Sequence, residues 1–244
     1  MNDKQYGSWD GWNKEWNQLM RFDGSGFDGV QDRIRDIKTL WERQVEPSWL
    51  RPGQIDDRRW LEGVGYRRGD VIDPASGEHK IEADILKNLH GVSWLGGSLV
   101  DGLSAIPLTR IGRGVEGDLL VLARHGTSYN MHLTEVKVSA NHAWYAVVEN
   151  LRQLRLLQGN AEVFGDEGMC GIFKRRSADI PSGIPVSGVV LGVNEFYGER
   201  GQKHNAVAPA RELIEALGSI VTLAVWHEET RTAKKLEDSP HSKP

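Results

Sequence analysis

The sequence predicts an α/β fold in which a mixed, apolar central sheet is flanked by helices and preceded by an N-terminal helical extension. Three observations carry that prediction. From about residue 75, short runs of branched and apolar residues alternate with longer stretches of helical periodicity. Their order is helix, two or three strands, helix, strand, helix, strand. Upstream, six of the nine tryptophans (Trp9, Trp12, Trp16, Trp41, Trp49 and Trp60) fall in a segment that reads as helical. The chain accordingly divides into a Trp-rich extension (1–70), a core domain (71–230) and a polar tail (231–244).

In the extension, Trp9, Trp12 and Trp16 stand at i, i+3 and i+7, one face of a helix that Ser8 or Asp10 would cap. A second helix runs through VQDRIRDIKTLWERQV, with Ile34, Ile37, Leu40 and Trp41 as its apolar stripe, before proline and glycine punctuate EPSWLRPGQ. Packing in a core or an interface is the plainest role for the tryptophans; stacking on a sugar or a base is the other. This region is also where a second copy or a partner protein would dock.

The core opens with GEHKIEADILKNLHG, a helix ending at Gly91 that places Glu82, Ile85, Leu86 and Leu89 on one face. A glycine-rich connection leads to SAIPLTRI, read as a first strand. EGDLLVLAR and MHLTEVKVS then form a hairpin around the turn residues HGTSYN. ANHAWYAVVENLRQLRLLQG is the clearest helix of the chain. Its stripe of Trp144, Val147, Val148, Leu151 and Leu154 is expected to pack on the sheet, and Gly159 to end it. IPVSGVVLGV reads as a buried strand, VAPARELIEALG as a helix and SIVTLAVWHE as the last strand. The tail RTAKKLEDSPHSKP is expected to fray.

Composition narrows the function classes. A net charge of −4 argues against a protein that coats nucleic acid with a uniformly basic surface, yet leaves room for a local basic groove. No apolar run approaches the ~20 residues of a membrane span. The first residues, MNDKQYGSWDGWNKEW, show neither the basic nor the apolar region of a secretion signal. A single cysteine, Cys170, makes no internal disulfide and offers no thiolate cluster for zinc. A cytoplasmic protein without membrane partners is the expectation.

The chemistry concentrates in GDLLVLARHGTSYNMHLTEVKVS. Glu135 and Lys137 project to one side of their strand and Val136 to the other, while Asp118 opens the preceding strand. Hairpin pairing brings Asp118 beside Glu135 if the strands cross or diverge near that end. Burying three ionisable groups among Leu119, Leu120, Val121, Leu133, Val136 and Val138 is costly without compensation. One lysine neutralises only part of the carboxylate charge. A hard divalent cation such as Mg²⁺ takes carboxylate oxygens as ligands, with the Val136 carbonyl as a further donor.

Asp118, sixteen intervening residues and then Glu135-Val136-Lys137, set between a helix and a long amphipathic helix, resemble the PD-(D/E)XK nuclease superfamily over roughly residues 75–195. That resemblance implies a restriction-endonuclease-like fold with an open mixed central sheet. It implies that Asp118 and Glu135 hold Mg²⁺, with Mn²⁺ as a substitute, and that Lys137 orients the attacking water. Glu82 would be the added acidic residue on the preceding helix, with Glu78 as second choice. Gly117 stands where the superfamily's motif has proline. The implied activity is metal-dependent hydrolysis of DNA phosphodiester bonds, as an endonuclease in restriction, defence or repair. The alternative is a non-catalytic binding or assembly protein of the same fold.

Other residues carry weaker signals. Gln153 lies where some exonuclease relatives carry a glutamine, but position 157 is Leu rather than their tyrosine. A helical wheel sets Glu149 and Gln153 opposite the Trp144/Val148/Leu151 stripe, so a solvent-facing role is their plainest reading. Lys174, Arg175 and Arg176 form a basic loop, and Arg110 and Arg113 flank the approach to Asp118; each either grips phosphates or is simply solvated. His132 falls across the sheet from Glu135, away from a ligand role, and His142 is expected to cap the long helix or lie on the surface.

Overall fold

The computed structural model describes residues 8–21, 29–49, 77–109, 115–138, 142–159, 181, 183–198 and 206–237. Two N-terminal helices, α1 (Trp9–Met20) and α2 (Val30–Glu42), precede α3 (Gly77–Lys87). The strands β1 (Ser93–Trp94), β2 (Gly97–Pro107), β3 (Glu116–His125) and β4 (Ser128–Lys137) follow without an intervening α-helix. The long helix α4 (Ala143–Gly159) leads to β5 (Val186–Gly192), the single turn α5 (Asn194–Tyr197), α6 (Val207–Ala216), β6 (Val221–His227) and β7 (Thr232–Lys235).

The open sheet implied by the resemblance is not what forms. The seven strands close into a mixed barrel in the order β1-β2-β3-β4-β5-β6-β7, with helices around it. Strand β3 is antiparallel to both β2 and β4, β4, β5 and β6 are parallel, and β7 runs antiparallel to β6. Closure depends on β1, which pairs with β2 on one side and β7 on the other. In the sequence only the second part of one of these partners reads as a strand, and the other does not. Leu95 and Gly96, with φ of 49° and 85°, make a two-residue turn between β1 and β2, the left-handed geometry that hairpins favour. The glycines around it disguise strands as a connection, so β2 begins well before the SAIPLTRI run. The segment expected to fray supplies β7, in which Ala233 is fully buried between polar neighbours. Ser93 and Leu95 donate amide hydrogen bonds to the carbonyls of Arg231 and Ala233, at 3.1 and 2.9 Å.

Side chains of the strands alternate between two apolar clusters. Leu120, Leu122, Met131, Leu133, Val190, Leu223 and Val225 join α4 and α6 in one. Leu119, Val121, Ala123, Val136, Val189, Leu191, Ala224 and Trp226 join Ile81 and Ile85 of α3 in the other. The N-terminal helices belong to the first cluster, where Trp12 and Trp16 are buried with Ile34, Ile37, Leu40 and Trp49. Ser8 caps α1 by accepting the Gly11 amide at 3.1 Å. Trp9 stacks on Trp12 at 5.6 Å, so the stripe is core packing. Among the described residues, no helix is long and apolar enough to cross a membrane.

Because Trp16 is fully buried, Trp16→Ala is expected to cost about 3–5 kcal/mol in urea unfolding followed by circular dichroism. A loss below about 1 kcal/mol would show that α1 is an appendage to the core.

Candidate functional site

The β3–β4 ladder pairs Leu119 with Thr134 and ends there, so the next positions, Asp118 and Glu135, stand where the two strands part. Asp118 uses the opening to turn its carboxylate onto the next strand, and Oδ2 accepts the Val136 amide at 2.8 Å. Gly117 suits this spot without a proline: a Cβ there would come 2.7 Å from Leu133 Cδ1. By strand alternation Asp118, Glu135 and Lys137 share the face of Leu120 and Leu133. Val136 lies in the opposite cluster.

On that face Lys137 Nζ donates to Glu135 Oε1 and lies 3.4 Å from Glu149 Oε2. Gln153 Nε2 donates to Glu135 Oε2 at 2.7 Å and to the Glu116 carbonyl at 3.0 Å. Glu135, Lys137 and Gln153 are all buried. The solvent-facing reading of Glu149 and Gln153 is therefore overturned. A helical wheel assumes one buried face, but α4 is enclosed on nearly every side: Trp144 Nε1 donates to the Leu19 carbonyl of α1 at 2.8 Å, while Asn150 Nδ2 donates to the Leu133 carbonyl of β4 at 3.0 Å. Asn150 approaches the sheet over Gly188, where any Cβ would overlap its side chain. Glu149 is the site residue that sequence reasoning missed. Its signal was present: an acidic residue four positions before Gln153 on the helix next to the motif.

Glu82 reaches the site from α3. It is buried, and its Oε1 lies 3.0 Å from His79 Nδ1. Burial pushes the Asp118 carboxyl up from 3.8 to about 7, against the lowering pull of Lys137 and the Val136 amide and with the added repulsion of Glu82 and Glu149. Burial also raises Glu135 well above the usual range, reinforced by Asp118 and Glu149 and opposed by Lys137. For Lys137 burial favours the neutral amine, but Glu135, Glu149 and Asp118 outweigh it and hold the ammonium. Three carboxylates, Asp118, Glu135 and Glu149, thus surround a single lysine, Glu82 acts on Asp118 from α3, and Arg152 borders Glu149 at 3.8 Å.

Magnesium is the cofactor the resemblance implies, and the donors fit it in kind. They are carboxylate oxygens in a setting short of positive charge, where two carboxyls are raised by burial and mutual repulsion. Their present arrangement is not a closed cage. Both Glu135 oxygens are engaged by Lys137 and Gln153, and among the described residues no three His, Cys, Asp or Glu groups are set to hold an ion. Glu135 would have to exchange one of those partners for a cation.

No protein-family model, curated protein or solved structure matches the chain. The site therefore stands on its own geometry. His132 lies on the other face, with its ring 6.4 Å from Trp94 and Nδ1 3.1 Å from Ser187 Oγ; burial and His125 lower it from 6.5 to about 4. His142 caps α4, its Nδ1 accepting the Tyr145 amide at 3.1 Å. Glu78 is half-buried in the first turn of α3. Arg110, Arg113, Lys174, Arg175, Arg176, Trp60 and Cys170 lie outside the described residues.

Because the folded state raises the Asp118 carboxyl, it holds a proton that the unfolded chain has released between pH 3.8 and about 7. Stability without metal should therefore fall as pH rises through that window and level off above it. Asp118→Asn should reduce this slope to the share that Glu135 contributes and, in EDTA, stabilise the protein at pH 8 by up to about 4 kcal/mol. Urea unfolding from pH 4 to 8 measures it; a wild type more stable than Asp118→Asn at pH 8 contradicts the electrostatics.

Proposed function

We propose that the chain is a divalent-metal-dependent nuclease that hydrolyses DNA phosphodiester bonds, with Asp118, Glu135 and Lys137 at its centre and Glu82 beside them. The observation that carries this reading is the meeting of Asp118 with Glu135 and Lys137 where β3 and β4 part. The charges of Glu82 and Glu149 also bear on that point. A helix, a hairpin and a second helix supply these groups, as in the PD-(D/E)XK nuclease superfamily, here on a closed barrel.

The chain's own groups divide the work. Lys137 is an ammonium across the neutral range, so it acts as a hydrogen-bond donor and fixed charge rather than as a base. It orients a water or shields negative charge developing on the phosphate. Asp118 titrates near neutrality, so it exchanges its proton for a cation at modest cost. Asp118 and Glu135, with Glu82 and the Val136 carbonyl as further donors, would hold Mg²⁺ or Mn²⁺, which would supply Lewis-acid polarisation of a phosphate oxygen. Gln153 keeps Glu135 Oε2 oriented while its other oxygen is exchanged. Phosphate gripping by Arg113, Lys174, Arg175 and Arg176 belongs to the same proposal, as do an endonuclease role in restriction, defence or repair and a cytoplasmic setting.

One observation favours a second reading. With both oxygens of Glu135 satisfied inside the protein, the cluster also suits a non-catalytic binding or assembly protein that keeps its charges as an internal ion-pair network.

Nuclease assays on plasmid, linear and single-stranded DNA separate the two. Cleavage is expected with Mg²⁺ or Mn²⁺, abolished by EDTA and reduced about 10²- to 10³-fold in kcat by Lys137→Ala. Equal cutting by wild type and Lys137→Ala, or no cutting of any substrate with either metal, rejects the nuclease reading.

A further inference from the structure

Lys137 and Glu149 belong to a longer chain of polar contacts that leaves the site and ends on the N-terminal helix. Glu149 presents Oε2 to Lys137 at 3.4 Å and Oε1 to Arg152 Nη2 at 3.8 Å. Arg152 is itself buried, an expensive place for a guanidinium unless its donors are met. Helix α1 meets those of Nη1, which donates to Asn13 Oδ1 at 2.9 Å and to Asn17 Oδ1 at 3.0 Å, while Nε finds no hydrogen-bond partner among the described residues. Asn13 and Asn17 are four residues apart, so one helical turn presents both oxygens to a single guanidinium. Trp12 and Trp16, each one position before an asparagine, anchor that turn in the core. Trp144 Nε1 on the Leu19 carbonyl at 2.8 Å ties the same two helices together.

We propose that α1 completes the candidate site: Asn13 and Asn17 hold Arg152, Arg152 holds Glu149, and Glu149 with Glu135 fixes where Lys137 points. Glu149 and Arg152 are positioning residues in this scheme, and the inference rests on the nuclease reading above. The geometry favours positioning over simple packing. Glu149 lies between two cations, Lys137 of β4 and Arg152 three residues further along α4, so it meets positive charge on both sides. Without Glu149, Lys137 keeps a single direct ion pair, that with Glu135, the carboxylate that must loosen its grip for a cation to bind. The tryptophan-rich segment, which reads as an extension in the sequence, would then be a structural part of the reaction centre. A misplacement of about 1 Å at a reacting group costs on the order of 10²-fold in rate, so remote contacts of this kind matter.

The test uses the full chain and two readouts. The first is kcat and KM on DNA with Mg²⁺. The second is mass-spectrometric labelling of Lys137 by an amine-selective acylating reagent, which needs neither metal nor activity. N13A/N17A, shown folded by thermal melting, is expected to lower kcat about 10-fold with KM within 2-fold, and to raise Lys137 labelling several-fold. N13D/N17D keeps both acceptor oxygens and should restore both readings. E149Q carries the same expectation if the alanine pair fails to fold. Unchanged labelling in folded N13A/N17A or E149Q overturns the proposal, as does raised labelling with kcat intact. If the wild type cuts nothing, the nuclease reading fails by itself, and labelling still decides whether α1 holds Lys137.

Discussion

Everything distinctive about this protein follows from placing more negative than positive charge around one buried lysine. Asp118, Glu135 and Glu149 share Lys137 as their cation, and Glu82 adds its charge against Asp118. In water such a group would be unremarkable; out of water each carboxylate needs a proton, a hydrogen-bond donor or a cation. The fold supplies donors sparingly. The Val136 amide serves Asp118, Gln153 serves Glu135, and Arg152 serves the far side of Glu149. What remains unbalanced raises the carboxyls of Asp118 and Glu135. Packing alone does not require such a cluster, and its cost is why a functional role is the better account.

The architecture serves that cluster. Strands β3 and β4 pair up to Leu119 and Thr134 and then part, which frees Asp118 to cross to the Val136 amide. Helix α4 lies close against β4 because Gly188 leaves room for Asn150, and this brings Glu149 and Gln153 onto the carboxylates. Helices α1 and α2 cover the other side of α4 through Arg152 and Arg155, the latter donating to the Arg43 carbonyl from Nη2 at 2.6 Å. Enclosure on both sides turns a surface-type helix face into the wall of a site.

The sequence made the motif and most of the elements legible. The alternation of Glu135, Val136 and Lys137, the hairpin, and the apolar stripe beside Glu82 are local patterns, and each appears at the expected place. What stayed hidden is non-local. Ring closure depends on a strand of two residues and another of four inside glycine-rich and polar stretches, too short for periodicity to register. The enclosure of α4 depends in part on helices more than a hundred positions away, which no wheel of α4 alone can foresee. The same distance conceals Asn13 and Asn17, which read as ordinary polar positions between tryptophans.

Isothermal titration calorimetry with Mn²⁺ and Mg²⁺ at pH 7.5 tests the central claim most directly, because it asks whether the excess carboxylate charge is a cation site. The account predicts saturable binding accompanied by proton release, which shows as a heat that varies with the ionisation enthalpy of the buffer. It also predicts that Asp118→Asn/Glu135→Gln, still folded, abolishes that binding. No binding by the wild type, or equal binding by the double variant, would contradict it.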